Sequence, residues 1–233
     1  KQDTPTFFQN IWWPDMLEVA NNTNIIYTGA FIETYNDQVS PPFEQITGND
    51  FNYLIRFGRE LTLSKGEIGL HGYNHQSLTL DAQTAKAFGY NTWASTNDMK
   101  DAINEAIAYV NRAFPAYAIT SYVPPSNVLS LEGRHALKEA VPSLVTIASL
   151  YGEDSTNRSY VQEFEIAEDG VIEMPRISSG YIINRVTEWE IVNAITSLGV
   201  FSHFIHPDDV ISKDRSGGTW SQMYKSFEQY MED

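Results

Sequence analysis

Short apolar stretches rich in β-branched and aromatic residues alternate with segments of helical periodicity along most of this 233-residue chain. Each such stretch is apolar on both faces and is followed by a helical pattern, which is typical of a parallel sheet covered by helices. The sequence therefore predicts an α/β fold in one domain over residues 1–233, most simply a (β/α) barrel that is distorted or incompletely closed. Strands are predicted over residues 24–31, 67–70, 118–123, 143–149, 171–177 and 200–205, and helices over residues 50–64, 97–114, 129–140, 187–198 and 219–231.

Turn and cap residues mark several boundaries between these elements. Asp169-Gly170 predicts the turn of a hairpin between residues 160–166 and 171–177. Asn97-Asp98 and Thr187 are predicted to cap the helices that follow them, because short polar side chains accept hydrogen bonds from the first helical N–H groups. In such folds the loops at the carboxyl ends of the strands carry the functional side chains, so these loops are the first place to look for a site.

Composition excludes several classes of function. Thirty acidic residues against fifteen basic ones give a net charge of −15, which disfavours nucleic acid and anionic membranes as partners. The absence of cysteine excludes disulfides, thiolate nucleophiles and cysteine-based zinc sites. No stretch approaches the roughly 20 apolar residues of a membrane span, and the opening residues 1–5 show no signal-peptide pattern, so no membrane insertion is expected.

Four of the five histidines fall in two short clusters at predicted strand ends. His71 and His75 follow the strand over residues 67–70, and His203 and His206 lie on and just after the strand over residues 200–205. His135 stands alone in a predicted helix and is interpreted as a surface residue.

The spacing of His71 and His75 allows both imidazoles to bind one metal ion. Neutral imidazole is a good zinc ligand, and Gly72 permits a sharp turn between the two histidines. Spacing alone leaves another interpretation open, in which two loop histidines only form hydrogen bonds with the backbone.

The residues around these histidines resemble a known family. Residues 66–75 read Gly-Glu-Ile-Gly-Leu-His-Gly-Tyr-Asn-His and are followed by Ser77-Leu78-Thr79. This segment resembles the metal-binding motif of the polysaccharide deacetylases of the NodB-homology superfamily. Three further segments resemble motifs of that family, in the same order along the chain: residues 121–126 (Ser-Tyr-Val-Pro-Pro-Ser), 173–177 (Glu-Met-Pro-Arg-Ile) and 204–206 (Phe-Ile-His).

The resemblance implies roles for particular residues. His71 and His75 would bind a divalent metal, with zinc expected, and His206 would act as the general acid. Tyr122 would offer its backbone N–H to the oxyanion, and Pro124 would stiffen one wall of the groove.

The chain departs from the family in its first motif. In the family, the two aspartates of this motif supply the general base and the third metal ligand. The corresponding position falls on residues 6–10, Thr-Phe-Phe-Gln-Asn, where Gln9 or Asn10 offers only a carbonyl oxygen. Asp3 and Asp15 are nearby in sequence and are candidate substitutes.

The sequence also offers several further candidate site residues. Val123 replaces the arginine of the family's third motif, and Arg176 is a candidate to supply that charge. Asp208 and Asp209 either orient His206, act themselves, or only cap a helix. The remaining candidates are Trp13, beside Trp12, for sugar stacking, Glu67 as a structural residue or a partner of the histidines, and His203 as a packed histidine.

Three functions remain open from the sequence. The first is a metal-dependent hydrolase that removes acetyl groups from a glycan, as the resemblance implies. The second is a catalytically degenerate relative that still binds carbohydrate, because both first-motif aspartates are missing. The third is a glycoside hydrolase that uses paired carboxylates. In each case the expected partner is a carbohydrate polymer or oligosaccharide, and the resemblance implies a bacterial protein outside the cytoplasm.

Overall fold

The computed structural model describes residues 4–148 and 164–232. Its contacts divide the chain into two compact units. The larger unit comprises Thr28–Pro175, and the smaller unit combines Lys1–Tyr27 with Arg176–Asp233.

The larger unit is built on a six-stranded sheet. Its strands are β1 (Thr28–Phe31), β2 (Glu67–Leu70), β3 (Ser121–Tyr122), β4 (Thr146–Ala148), β5 (Glu165–Ile166) and β6 (Ile172–Met174). Their order is β1-β2-β3-β4-β6-β5, and every neighbouring pair is parallel except the β5–β6 hairpin. The α/β class with a mostly parallel sheet is thus confirmed. Within the described residues the ladder runs from β1 to β5 without closing, as expected of an incomplete barrel.

The register of the first three strands brings their carboxyl ends to one edge. Phe31 of β1 pairs with Leu70 of β2, and Leu70 pairs with Tyr122 of β3. Gly69 allows this close pairing, because a Cβ atom there would lie 2.9 Å from Thr28 Cγ2 and 3.2 Å from Ser121 O. The residues that follow β1, β2 and β3 therefore emerge side by side.

Helices pack on this sheet through regularly spaced apolar residues. They are α3 (Asn49–Leu63), α4 (Ala82–Ala87), α5 (Thr96–Ala113) and α6 (Leu131–Ala140). Helix α5 buries Met99, Ala102, Ile103, Ala106 and Val110, a spacing that keeps one face of the helix against the sheet. Its cap is Ser95, whose hydroxyl accepts a hydrogen bond from Asp98 N at 3.2 Å, so the predicted Asn97-Asp98 cap is wrong by two residues.

The smaller unit contains helices and a two-stranded parallel sheet. Its elements are α1 (Thr4–Phe7), a π-helical turn (Phe8–Trp12), α2 (Trp13–Thr23), β7 (Ser178–Ser179), α7 (Arg185–Leu198), β8 (His203–Phe204) and α8 (Trp220–Glu232). Buried Trp12, Met16, Tyr181, Met223 and Phe227 form its core. None of the helices among the described residues is long and apolar enough to cross a membrane.

Several element boundaries differ from the sequence predictions. Asn184 caps α7 by accepting hydrogen bonds from the N–H groups of residues 186 and 187, so the predicted Thr187 cap is wrong. Except for β2, the ordered strands are shorter than the apolar stretches that predicted them, because only part of each stretch finds a pairing partner. The predicted hairpin is confirmed for β5 and β6, whereas residues 160–163 of its first arm lie outside the described residues.

Candidate functional site

The end of β2 brings His71 and His75 together. His71 N donates a hydrogen bond to Phe31 O at 2.7 Å, which continues the β1–β2 ladder by one residue. Gly72 then takes a φ of 91° and His75 a φ of 59°, so the chain turns sharply between the two histidines. Their ring centroids lie 4.9 Å apart at an interplanar angle of 72°. The two imidazoles therefore lie side by side, and their predicted binding of a metal ion stays a prediction.

A backbone carbonyl determines the tautomer of His71. Nδ1 of His71 lies 2.6 Å from Val123 O, the residue that follows β3. A carbonyl oxygen can only accept, so Nδ1 carries the proton and Nε2 presents its lone pair. This arrangement is typical of histidines whose other nitrogen binds a metal or accepts from a ligand.

Two tyrosines surround His75. Nδ1 of His75 lies 3.2 Å from the Tyr90 hydroxyl, which also forms a hydrogen bond with Ser126 Oγ. The Tyr35 ring lies against His75, with centroids 5.8 Å apart and an interplanar angle of 31°. Tyr35 is 71% exposed, so an aromatic face beside the histidine pair is open to solvent.

The donor set at this edge does not complete a metal centre. A catalytic zinc site takes three protein ligands and leaves one position for water. Among residues 4–148 and 164–232, no group of three or more histidine, cysteine, aspartate or glutamate side chains converges on one point. The histidine pair therefore supplies two nitrogens without a third protein ligand from the described part of the chain.

The predicted location of the first motif is wrong. Residues 6–10 belong to helical turns of the smaller unit instead of following a strand, and Asn10 is exposed there. The residues that directly follow β1, beside His71, are Ile32 and Glu33. Because apolar residues 25–27 lengthen the apparent strand without pairing in the sheet, the sequence did not show where β1 begins or which residues leave its end.

Glu33 is the functional candidate that sequence reasoning missed. It is 9% exposed, and its Oε1 accepts a hydrogen bond from Ile46 N at 3.1 Å. Burial raises the pKa of Glu33 to about 7, with a further contribution from the nearby Glu105 carboxylate. The signal available in the sequence was an acidic residue two positions after a buried strand. The hydrogen bond that its side chain accepts from Ile46 N was not predictable.

The segment after β3 forms part of the same edge. Tyr122 is fully buried, and its burial raises the pKa of the phenol. Pro124 is buried, and its carbonyl accepts a hydrogen bond from Asn127 N at 3.1 Å. These residues lie next to Val123, which holds His71. The predicted roles of Tyr122 and Pro124 toward a substrate stay predictions.

Glu67 has a structural role, so the alternative that it supports the histidines is not favoured. Its two carboxylate oxygens accept hydrogen bonds from Thr28 Oγ1 at 2.8 Å and from Thr120 Oγ1 at 2.9 Å. These bonds tie β2 to the strands on either side. His135 is exposed on α6, as predicted.

The smaller unit carries the predicted acid and its neighbouring aspartates. His206 Nδ1 lies 3.7 Å from Asp209 Oδ2, close enough for an ion pair when the imidazole is protonated. Arg215 bridges Asp208, with a 2.5 Å contact, and Asp209, with a 2.8 Å contact. The two aspartates are thus partners of Arg215, and Asp209 is the one placed to orient His206.

The other predicted residues of this unit take packing positions. The Arg176 guanidinium lies 5.3 Å from the Phe204 ring centroid, and partial burial lowers the pKa of Arg176. Trp13 packs in the aromatic cluster with its ring 5.9 Å from that of Trp12. Asp15 accepts a hydrogen bond from Trp220 Nε1 at 2.7 Å, and Asp3 lies outside the described residues.

His203 is a packed and partnered histidine, as predicted. Its Nε2 donates to Gly180 O at 2.7 Å, so its Nδ1 accepts from Ser178 Oγ at 2.7 Å. Burial lowers the pKa of His203 to about 4. This imidazole is therefore neutral across the ordinary pH range.

Comparison with solved structures places the fold among polysaccharide deacetylases. The chain superimposes on a proposed polysaccharide deacetylase from Mycobacterium smegmatis with a TM-score of 0.55 and 12% identity, covering 98% of this chain and 77% of that one. This likeness shows a deacetylase-like fold, and a fold alone does not establish an activity.

Two more distant matches belong to the CE4 family. A pseudoenzyme from Bacillus anthracis matches with a TM-score of 0.47 and 13% identity over 94% of this chain. A family 4 acetyl xylan esterase from Clostridium thermocellum, solved with a cobalt ion, matches with a TM-score of 0.45 and 11% identity, covering 93% of this chain and 85% of that one. The chain spans 54% of the Bacillus anthracis structure and 39% of a mutant of the same protein.

Sequence comparison gives a family without an activity. No curated protein sequence matches the chain significantly. A family model matches over residues 1–233. The chain therefore belongs to the family described as "Uncharacterised protein conserved in bacteria (DUF2194)".

Proposed function

We propose that this chain binds the sugar rings of an acetylated glycan at the edge formed by His71, His75 and Tyr35, without hydrolysing it. The observation that carries the proposal is the imidazole pair beside an exposed aromatic face, with no third metal ligand among the described residues. The deacetylase-like fold supports a carbohydrate as the ligand. A location outside the cytoplasm is part of the same proposal.

The chemistry of the edge suits a sugar ring. Tyr35 offers an exposed aromatic ring for the C–H groups of a pyranose. Nε2 of His71 is an acceptor for a sugar hydroxyl or an amide N–H, since Nδ1 donates to Val123 O. The residue directly after β1 is Ile32, whose side chain cannot take a proton from water, and Oε1 of the following Glu33 accepts a hydrogen bond from Ile46 N.

A second candidate is metal-dependent deacetylation. The fixed tautomer of His71 favours it, because an imidazole whose Nδ1 is held by a carbonyl presents Nε2 as a metal ligand. Against it, the donor set in residues 4–148 and 164–232 does not fit a three-ligand centre.

Binding is tested by calorimetry with oligomers of N-acetylglucosamine and with acetylated xylo-oligosaccharides. Tyr35→Ala is expected to weaken binding about 3- to 10-fold, the effect of losing one aromatic contact. Tyr53→Ala is the matched control, because Tyr53 is also an exposed tyrosine of the larger unit but lies on α3. Absence of binding by the wild-type chain, or equal binding by the Tyr35→Ala variant, would overturn the proposal.

The two candidates are separated by metal content and by acetate release. The proposal expects no release of acetate from either glycan with added zinc, and the same low metal content in the wild type and in the His71→Ala/His75→Ala variant. About one equivalent of zinc in the wild type, lost in the double variant together with acetate release, would replace binding by deacetylation as the function.

A further inference from the structure

Among the described residues of the larger unit, the two most exposed aromatic side chains are both connected to His75. Tyr35 is 71% exposed and Phe88 is 47% exposed. The His75 ring lies 5.8 Å from the Tyr35 ring and 6.0 Å from the Tyr90 ring, measured between centroids. The Tyr90 ring is in turn stacked on Phe88, with centroids 6.1 Å apart and an interplanar angle of 21°. We call these four rings, Tyr35, His75, Tyr90 and Phe88, the aromatic strip.

The carboxyl end of helix α4 positions the part of the aromatic strip that lies beyond the histidines. Gly89 N donates a hydrogen bond to Lys86 O at 3.1 Å. Tyr90 N donates to Ala85 O at 2.8 Å. This pair of bonds is a Schellman motif, which needs a residue in the left-handed region, and Gly89 supplies it with a φ of 74°. The turn brings the Phe88 ring next to the Tyr90 ring.

Tyr90 is held at its hydroxyl as well as through its backbone. Its Oη forms a hydrogen bond with Ser126 Oγ and lies 3.2 Å from His75 Nδ1. The next residue, Asn91, donates from its backbone N–H to Gln76 Oε1 at 2.9 Å. Because Tyr90 is held at both ends, the ring that stacks on it is kept at a set distance from the histidine pair.

The chemistry of Phe88 limits what it can bind. A phenylalanine side chain has no hydrogen-bonding group, so an exposed Phe88 contributes to binding only through its ring. The two rings that connect it to Tyr35, those of His75 and Tyr90, are partly buried. Because both rings lie between Tyr35 and Phe88 in this series of contacts, one sugar ring on Tyr35 leaves Phe88 for another unit of the same glycan.

We propose that Phe88 forms a second sugar-binding position, so that the site takes a linear oligosaccharide laid along the aromatic strip from Tyr35 to Phe88. Each exposed ring stacks on one unit of the chain, and the partly buried rings of His75 and Tyr90 lie beneath the units between them. Phe88 then determines the length of glycan that the site prefers. This inference rests on the proposed function, because it requires a glycan at the histidine pair.

Calorimetry with oligomers of two to six sugar units tests the second position, with N-acetylglucosamine oligomers and acetylated xylo-oligosaccharides as the two series. The affinity of the wild type should rise from the dimer to the hexamer, with one hexamer bound per chain, because a longer ligand occupies both positions at once. Phe88→Ala should weaken binding of the hexamer about 3- to 10-fold and leave binding of the dimer unchanged. Phe88→Leu keeps an apolar side chain without the ring and should behave like Phe88→Ala. Tyr35→Ala should weaken binding of both lengths.

Phe164→Ala is the matched control and should bind both lengths like the wild type. Phe164 is 41% exposed and directly precedes β5, at the opposite end of the sheet from β1. Equal affinity of the wild type for dimer and hexamer, unchanged hexamer binding in Phe88→Ala, or two hexamers per chain would overturn the inference. So would a loss in Phe164→Ala as large as in Phe88→Ala. If Tyr35→Ala still weakens binding in any of these cases, the proposed function stands and only the second position fails. Absence of binding by the wild type at every length overturns both.

Discussion

Removing the charge of Arg134 should destabilise the larger unit strongly. Arg134 lies on α6 and is 4% exposed. Its Nε and Nη2 atoms donate to the two oxygens of Asp169, each at 2.9 Å, and its Nη1 donates to Glu173. These contacts fasten α6 to β6 and to the turn that precedes it.

The size of the expected loss of stability follows from the burial of the two carboxylates that Arg134 contacts. Glu173 is 0% exposed, so Arg134→Met removes a guanidinium that pairs with a fully buried carboxylate, whereas the Asp169 side chain is 32% exposed and can be hydrated. Breaking a buried pair by removing one partner costs about 3–5 kcal/mol. For a chain of this size that corresponds to a fall in Tm of roughly 6–20 °C.

Urea and thermal denaturation followed by circular dichroism measure this loss. Lys100→Met is the matched control, because it breaks the Lys100–Glu139 pair, whose side chains are 28% and 64% exposed. Such exposed pairs contribute about 1 kcal/mol or less. Arg134→Met/Glu173→Met should recover about 2 kcal/mol relative to Arg134→Met, since no charge then remains deeply buried. A loss in Arg134→Met no larger than in Lys100→Met would refute the reasoning.

Two further predictions concern the smaller unit. Its stability should fall by about 3 kcal/mol as pH drops from about 6.5 to about 4, because the pKa of His203 is lowered from 6.5 to about 4 and the unfolded chain takes up the proton first. In the His203→Gln variant this part of the pH dependence should vanish, while the exposed His135→Gln should retain it; identical profiles in all three would contradict the assignment. Asn184→Ala should cost about 1 kcal/mol in urea denaturation, since it removes the cap of α7. Thr187→Ala should cost less, and the reverse order would mean that the helix begins at the later residue.

Local patterns identified most of the elements of the fold. Strand–helix alternation predicted the mostly parallel sheet, and residues 67–70 were predicted as β2 with the bounds that the structure shows. Helix periodicity placed α3, α5 and α6 within one or two residues, because their buried faces repeat along the sequence. The N-terminal helices were missed, since the aromatic residues of 7–13 pack on all sides and leave no clear amphipathic pattern.

Within the candidate site, the sequence identified His71 and His75 because both follow one short strand at a spacing that a tight turn can bring together. It did not identify Glu33, Glu105 or Tyr35. Glu105 lies on α5, sixteen positions before Ser121 of β3, so no local pattern relates it to Glu33, with which it interacts electrostatically. The importance of Tyr35 likewise depends on a loop that folds over His75.

The sequence by itself thus determined the α/β class, the paired histidines and the exclusion of cysteine chemistry, since each depends on residue type and local spacing. The tertiary structure decided which side chains share a face. It placed Ile32 and Glu33, instead of residues 6–10, directly after β1. It also set the tautomer of His71 through a carbonyl fifty-two residues away, and it buried the Glu33 carboxyl against Ile46 N. Such contacts join residues far apart in the chain, and their energies depend on burial, which local patterns do not specify.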